Sequence, residues 1–442
     1  MGKTQDLTEG NILRVFCLFA LPLFFGSLFQ QLYGTVDLLF VGNFLGKSDA
    51  AAVGASGILV TCLIGLFTGI SVGAGVVAAQ YRGAGNAEGV KLCIENALTA
   101  GFIGGIILTA AGLLFSYQAL VWLNTPQKIM AKALTYIRIY LLAILPMVIY
   151  NMSAGILRAI GDSRTPFFVL AAGGILNVCM DALLIAVLKK GVAGAALATV
   201  LSQLFTAVAS TACVVKKEGL LEKRWELSGS MTKRIFVVGV PLGIQSMILT
   251  LSNIFVQYYI NGFGEDAVAA FAVYFKVENL IYLPLMAFGQ AMVTFAGQNY
   301  GAGKYGRVRQ GAVSCNVLSA AVTGVIAAVI LFFGKQVLGV FCSDGGVVEE
   351  GLKVIRVTFP FYFVYAIQEV TGGIIRGMGR TMQSMVIVII NLCVVRVILL
   401  KIFVSAFHSV SAVAAVYPVT WVLAAASFAV CCRACLRSPA EG

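Results

Sequence analysis

Long apolar runs dominate the chain, and short polar breaks separate them. Taken between charged or Gly- and Pro-marked positions, the runs fall near residues 12–41, 49–80, 92–123, 129–158, 166–188, 190–215, 232–262, 267–297, 308–335, 352–377, 381–404 and 409–432. Each can supply a helix of about 20 residues, the length that crosses a hydrocarbon core. None alternates with the period-two pattern of an outer-membrane barrel strand. The pattern predicts an all-α polytopic membrane protein with twelve transmembrane helices. An even number places both termini on the same side. The polar stretch KKEGLLEKRWELSGSMTKR follows the sixth run and divides the chain into a six-helix half at 1–215, a linker at 216–231 and a second half at 232–442.

The halves share loop sequences. Gln80-Tyr81-Arg82-Gly83-Ala84-Gly85-Asn86 follows the second run, and Gln298-Asn299-Tyr300-Gly301-Ala302-Gly303-Lys304 follows the eighth. Gly83 and Gly301 are 218 positions apart. Arg158-Ala159-Ile160-Gly161 and Arg376-Gly377-Met378-Gly379 repeat that offset, as do Gly46 and Gly264. Gly-Ala-Gly suits tight turns anywhere, which explains each loop but not the shared spacing. The expectation is an internal repeat of two pseudo-symmetric, like-oriented six-helix bundles with a cleft where they meet.

Composition sharpens the class. Of 442 residues, 60% are hydrophobic and 11% charged, far below the roughly 25% charge of a soluble protein. The net charge of +12 reads as topology rather than nucleic-acid binding, because Lys and Arg mark cytoplasmic loops. They concentrate at the termini and in loops after even-numbered spans, which places both termini in the cytoplasm and the chain in the plasma (inner) membrane. The N-terminal MGKTQDLTEGN has no signal-peptide pattern. Eleven scattered cysteines and a single histidine offer no structural metal site. No His-Glu-x-x-His helix, Gly-x-Ser-x-Gly elbow or Walker A loop is present. A cofactor, an enzyme activity and ATP drive within this chain are therefore not expected.

Four acids fall well inside apolar runs: Asp37, Asp181, Glu278 and Glu369. Such an acid costs roughly 2.5–3.5 kcal/mol on insertion scales and usually marks function. Asp37, Asp181 and Thr199 sit roughly 12–14 Å from the outer ends of their spans at 1.5 Å per residue. Asn177 precedes Asp181 by one turn and shares its face. Two carboxylates, an amide and a hydroxyl at one depth would suit a hard cation such as Na⁺ or a transferable proton. The second half does not repeat this chemistry: Phe255 stands opposite Asp37, and Val395 and Arg396 follow Asn391. Glu278 and Arg396 are expected to form a buried pair. Glu369, beside Gln368, would contact a cationic substrate or act as a packing hydrogen-bonder. Gln245, Asn253 and Gln257 read as helix–helix glue. Pro22 removes a backbone bond fifteen residues before Asp37 and is the candidate hinge.

These features resemble the multidrug and toxic compound extrusion family. The resemblance covers nearly the whole chain through VDLLFVGNFLG in the first span, the paired RGAG and YGAG loops, LRAIGDSRTP after the fourth span and QNYGAGK after the eighth. It implies two bundles forming a V-shaped cleft and export of organic cations and amphipathic drugs in exchange for H⁺ or Na⁺, by a protein expected to be monomeric. It also implies that Asp37, Asn177, Asp181 and Thr199 form an N-terminal-half cation site. Some members use an acid in the seventh span, where this sequence has Leu249 and no acid. Lipid-linked precursor flippases of the same superfamily often carry fourteen helices, and a major-facilitator charge signature after the second span is missing. A channel would not need a repeat with the Asp37 and Asp181 chemistry in one half only.

Overall fold

A computed structural model of the chain describes residues 4–122, 124–220 and 225–437; within helices, the side chains at 33, 37–39, 47–48, 55–64 and 66 lie outside the described set. No strand occurs among the described residues. The helices are α1 (Ile12–Phe44), α2 (Gly46–Gly83), α3 (Ala87–Trp122), α4 (Gln127–Leu141), α5 (Ile144–Ala159), α6 (Arg164–Asp181), α7 (Gly191–Lys217), α8 (Gly229–Asn261), α9 (Glu265–Gly301), α10 (Tyr305–Phe332), α11 (Gly334–Phe341), α12 (Gly345–Thr358), α13 (Tyr362–Gly377), α14 (Thr381–Val388), α15 (Arg396–Phe407) and α16 (Val410–Arg437). Among the described residues, ten helical segments are long and apolar enough to cross a bilayer. The second predicted span lies on α2, part of whose side chains are outside the described set. The tenth is broken by a 3₁₀ turn at Phe359–Phe361, where Pro360 cannot donate its backbone bond. Leu114, Phe332 and Val340 are more than three-quarters exposed. Such exposure on many helices suits lipid rather than water.

Contacts divide the chain into two compact units, Met1–Asp6 with Phe25–Gly243, and Leu7–Phe24 with Ile244–Gly442. One boundary precedes α1, and the other two fall inside α1 and α8, two residues beyond Pro22 and Pro241 respectively.

In the first unit α5 packs on α2, α3 and α7. Small residues permit this closeness. A Cβ at Gly155 would sit 2.9 Å from the Ser71 carbonyl oxygen, and the Ser71 hydroxyl donates to the Asn151 carbonyl at 2.5 Å. Two GxxxG stretches also meet here, Gly69 and Gly73 of α2 against Gly239 and Gly243 of α8. A Cβ on Gly69 would lie 2.0 Å from the Gly243 backbone nitrogen. In the second unit α13 takes the equivalent place, packed on α9, α10 and α16. A Cβ on Gly377 would lie 2.5 Å from the Val293 carbonyl oxygen.

The units share a backbone register. Both α5 and α13 have 16 residues, and their bounds differ by 218. Left-handed glycines recur at that offset: Gly46 and Gly264, Gly85 and Gly303, Gly161 and Gly379. The closing hydrogen bonds match as well, Gly85 N–H to the Arg82 carbonyl and Gly303 N–H to that of Tyr300. Gly85, Gly161, Gly303 and Gly379 close helix C-termini and Gly46 and Gly264 open the next helix, all at positive φ, which only glycine adopts without strain.

The motif-bearing loops serve different ends in the two units. Buried Asp162, of LRAIGDSRTP, caps α6 through the Thr165 N–H at 2.9 Å and pairs with Lys217. In QNYGAGK, Gln298 accepts the Leu7 N–H at 3.1 Å, Asn299 donates to the Leu7 carbonyl at 3.0 Å, and Lys304 donates to that of Thr8 at 3.0 Å. Residues 225–228 of the linker are tied to α3 by Asn96, which accepts the Ser228 N–H at 2.8 Å, and by Glu95, which accepts that of Glu226 at 3.2 Å.

Candidate functional site

The first unit holds its polar group on α6 and α7, which pack together. Asn177 and Asp181 lie one turn apart at the end of α6, 3% and 0% exposed. Among the described residues the Asn177 amide oxygen has no hydrogen-bond partner. Directly after Asp181 the helix widens into a π segment, Ala182–Val187. Such segments shift backbone bonding by one residue and recur at functional positions. Thr199 on α7 is half-buried and donates to the Ala195 carbonyl at 3.2 Å, leaving its oxygen lone pairs free to accept. Asp37 lies on α1, but its side chain is outside the described residues. No cluster of three His, Cys, Asp or Glu side chains suited to a metal ion occurs among the described residues. Pro22 sits within α1, half-buried.

The second unit encloses a polar cavity of about 490 Å³, lined from α8, α9, α13, α14, α15, α16 and the segment joining α14 to α15. Glu278, Gln368, Glu369 and Arg396 all face it, along with Gln245, Asn253 and Gln257. The expected pairing of Glu278 with Arg396 does not form: no ion pair joins them. Glu278 instead accepts the Tyr362 hydroxyl, which also meets the Tyr274 hydroxyl at 3.1 Å. Arg396 is 5% exposed, and its guanidinium lies 5.0 Å from the centre of the Tyr417 ring. A nearby phenol satisfies the carboxylate and an aromatic face partly satisfies the cation, so direct approach is not required. Lys276, on a different side of α9 from Glu278, reaches over the Phe341 ring at 5.9 Å.

Glu369 pairs with Arg376, and both side chains are largely buried. Gly289 makes this room, since a Cβ there would stand 2.7 Å from the Glu369 Cγ. Gln368 is 2% exposed, and its side-chain oxygen has no partner among the described residues. Aromatic rings complete the wall: Tyr282 stacks on Tyr365 at 6.2 Å, and Tyr365 meets Trp421 at 5.2 Å. Gln245 does join two helices, accepting the Ser384 hydroxyl of α14 at 3.5 Å, whereas Gln257 donates to Asn261 at 2.8 Å within α8 itself and ties no second helix.

Sequence reasoning places Arg376 in a loop and does not single out Tyr362, Tyr417 or Trp421. The signal for Arg376 is present: it follows Glu369 by seven residues, two helical turns on one face. The aromatic wall has no such signal, because aromatic residues abound in every span.

A family model described as MatE matches residues 22–183 and again 241–402. The chain is 31% identical over 400 residues to the probable multidrug resistance protein YpnP of Bacillus subtilis, with 89% of each chain covered. It is 28% identical over 391 residues to the probable multidrug resistance protein NorM of Thermotoga maritima, covering 85% of this chain and 82% of that one. Among solved structures, an outward-facing conformation of a multidrug resistance MATE family transporter of the MOP superfamily matches with a TM-score of 0.92 at 22% identity, covering all of both chains. A crystal structure of MATE in the bent conformation matches at 0.91 and 23% identity, with 99% of each chain covered. At that identity the likeness is one of fold.

Proposed function

The chain belongs to the multidrug and toxic compound extrusion family, a family of multi-pass membrane transporters and not of enzymes, and from that premise we propose that it exports amphipathic organic cations in exchange for H⁺ or Na⁺. The observation that carries the coupling assignment is Asp181, fully buried one turn from an unpartnered Asn177 amide oxygen and next to a π segment. A buried intramembrane carboxylate is costly unless it is paired or exchanges a cation or proton, and such acids usually mark function. Asp37, Asn177, Asp181 and Thr199 form the coupling site in this reading, and binding there shifts α1 about Pro22. The protein works as a monomer by alternating access in the plasma membrane, with both termini cytoplasmic. Its halves, 1–215 and 232–442, descend from one six-helix ancestor and are joined by the linker at 216–231. The double family match and the shared 218-residue register support that descent.

The test uses purified protein in liposomes, with Na⁺ and pH gradients imposed separately against a panel of cationic dyes. Export driven by one gradient identifies the ion. Asp37→Asn and Asp181→Asn should each insert and fold yet lose gradient-driven export. Unchanged export by both variants would overturn the coupling site.

A further inference from the structure

The cavity of the second unit contains a charge that the transport reading does not use. Of its four charged groups, Glu369 and Arg376 neutralise each other and Glu278 takes the Tyr362 hydroxyl. Arg396, 5% exposed and facing the cavity, has among the described residues neither an ion pair nor a hydrogen-bond partner for its Nε. Its guanidinium lies against the Tyr417 ring and feels the Glu278 carboxylate without bonding it, so its planar fork keeps donors that match a carboxylate or another oxyanion. Gln368, 2% exposed on the same wall, keeps a buried amide oxygen without a donor among the described residues. The rings of Tyr282, Tyr365 and Trp421 line the same space. At about 490 Å³ the cavity fits a small aromatic ligand.

We propose that this cavity binds an aromatic molecule bearing an anionic group and an N–H or O–H donor, with Arg396 receiving the anion and Gln368 the donor. Burial makes both groups selective. Water does not compensate a buried guanidinium or amide as it would on the surface, so the matching ligand replaces interactions that are otherwise missing. A bare organic cation would have to compete with Arg376 for Glu369 and with Arg396 for the field of Glu278. The cavity thus adds a ligand class of opposite charge to the cations proposed for export.

Dansylglycine carries a naphthalene ring, a carboxylate and a sulfonamide N–H, and is the probe. Its fluorescence anisotropy is followed with purified full-length protein in detergent, beside its methyl ester, which lacks the charge, and dansylsarcosine, which lacks the N–H. The acid should bind the wild-type protein roughly tenfold or more tightly than the ester, the scale of a charge-assisted hydrogen bond. Arg396→Gln should weaken the acid to the ester's level and leave ester binding unchanged. Gln368→Met should erase the preference for dansylglycine over dansylsarcosine. Equal binding of acid and ester by the wild-type protein would overturn the proposal whether or not either variant folds. So would acid binding by Arg396→Gln at wild-type strength. The measurement needs no gradient, so an absence of export leaves it standing, and its failure leaves the coupling site untouched.

Discussion

The helical spans Arg164–Val187 and Thr381–Phe407 occupy matching places in the two units, and they differ in charge. Each follows a glycine loop, with Gly161 and Gly379 both in the left-handed region. Each carries a buried asparagine, Asn177 or Asn391. Each passes through a π segment, Ala182–Val187 in the first unit and Ile389–Val395 in the second. The acid stands just before the first segment and the base just after the second. The difference shows that the backbone device and the charge are separable. Glycine caps and π segments set where a helix loosens, while the side chain beside that point sets what it holds. The loosened backbone in the second unit is secured by a neighbour, since the Ser252 hydroxyl of α8 donates to the Leu392 carbonyl at 3.0 Å. This is how irregular backbone is tolerated at membrane depth.

The sharpest way to break the comparison is to remove each charge in turn. Asp181→Asn should eliminate gradient-driven export while preserving a monodisperse protein, whereas Arg396→Gln should leave the gradient response in place. Vesicle flux under imposed gradients reads both. Loss of coupling from the second change would place the ion chemistry in the wrong unit. Next in size comes the Glu369–Arg376 pair. Both side chains are mostly buried, and removing one partner of a buried pair typically costs about 3 kcal/mol or more. Glu369→Gln should therefore lower the thermal midpoint strongly. The double change Glu369→Gln with Arg376→Gln should recover part of the loss, because no lone charge is left behind. A double variant as unstable as the two single losses combined would show that the groups act independently.

Much of this frame can be read from the sequence, and the reason is physical. Helices in lipid must be about 20 apolar residues long, so the spans declare themselves, and glycines at positive φ leave a fixed spacing. The intramembrane acids stand out for the same reason, since each is expensive. The partners of those acids do not. Attraction of opposite charges assigns Glu278 to Arg396, but the nearer phenol of Tyr362 satisfies it. Pairing in three dimensions depends on helix rotation, which apolar faces on all sides leave undetermined. QNYGAGK is legible as a motif, yet its grip on Leu7 and Thr8 involves residues almost 300 positions away.

Smaller changes sharpen the picture of the π segments. Ser252→Ala leaves the Leu392 carbonyl without its side-chain donor, at a cost of about 1 kcal/mol. The thermal midpoint should fall modestly, and an unchanged midpoint would mean that the π segment needs no support from α8.

The least perturbing change, Thr199→Val, separates packing from coupling in the first unit. The Thr199 hydroxyl donates to the Ala195 carbonyl within its own helix. Bonding back to the i−4 carbonyl adds little to helix stability, because that carbonyl already accepts a backbone N–H. Valine keeps the branched shape, so stability should change by only about 0.5 kcal/mol or less. An oxygen that also completes a cation site cannot be replaced so cheaply. The variant should then require a higher ion concentration, or a different pH, for half-maximal export at an almost unchanged thermal midpoint. A fall in thermal midpoint with no change in the ion dependence would reduce Thr199 to a packing residue and leave the coupling chemistry to the two aspartates and Asn177.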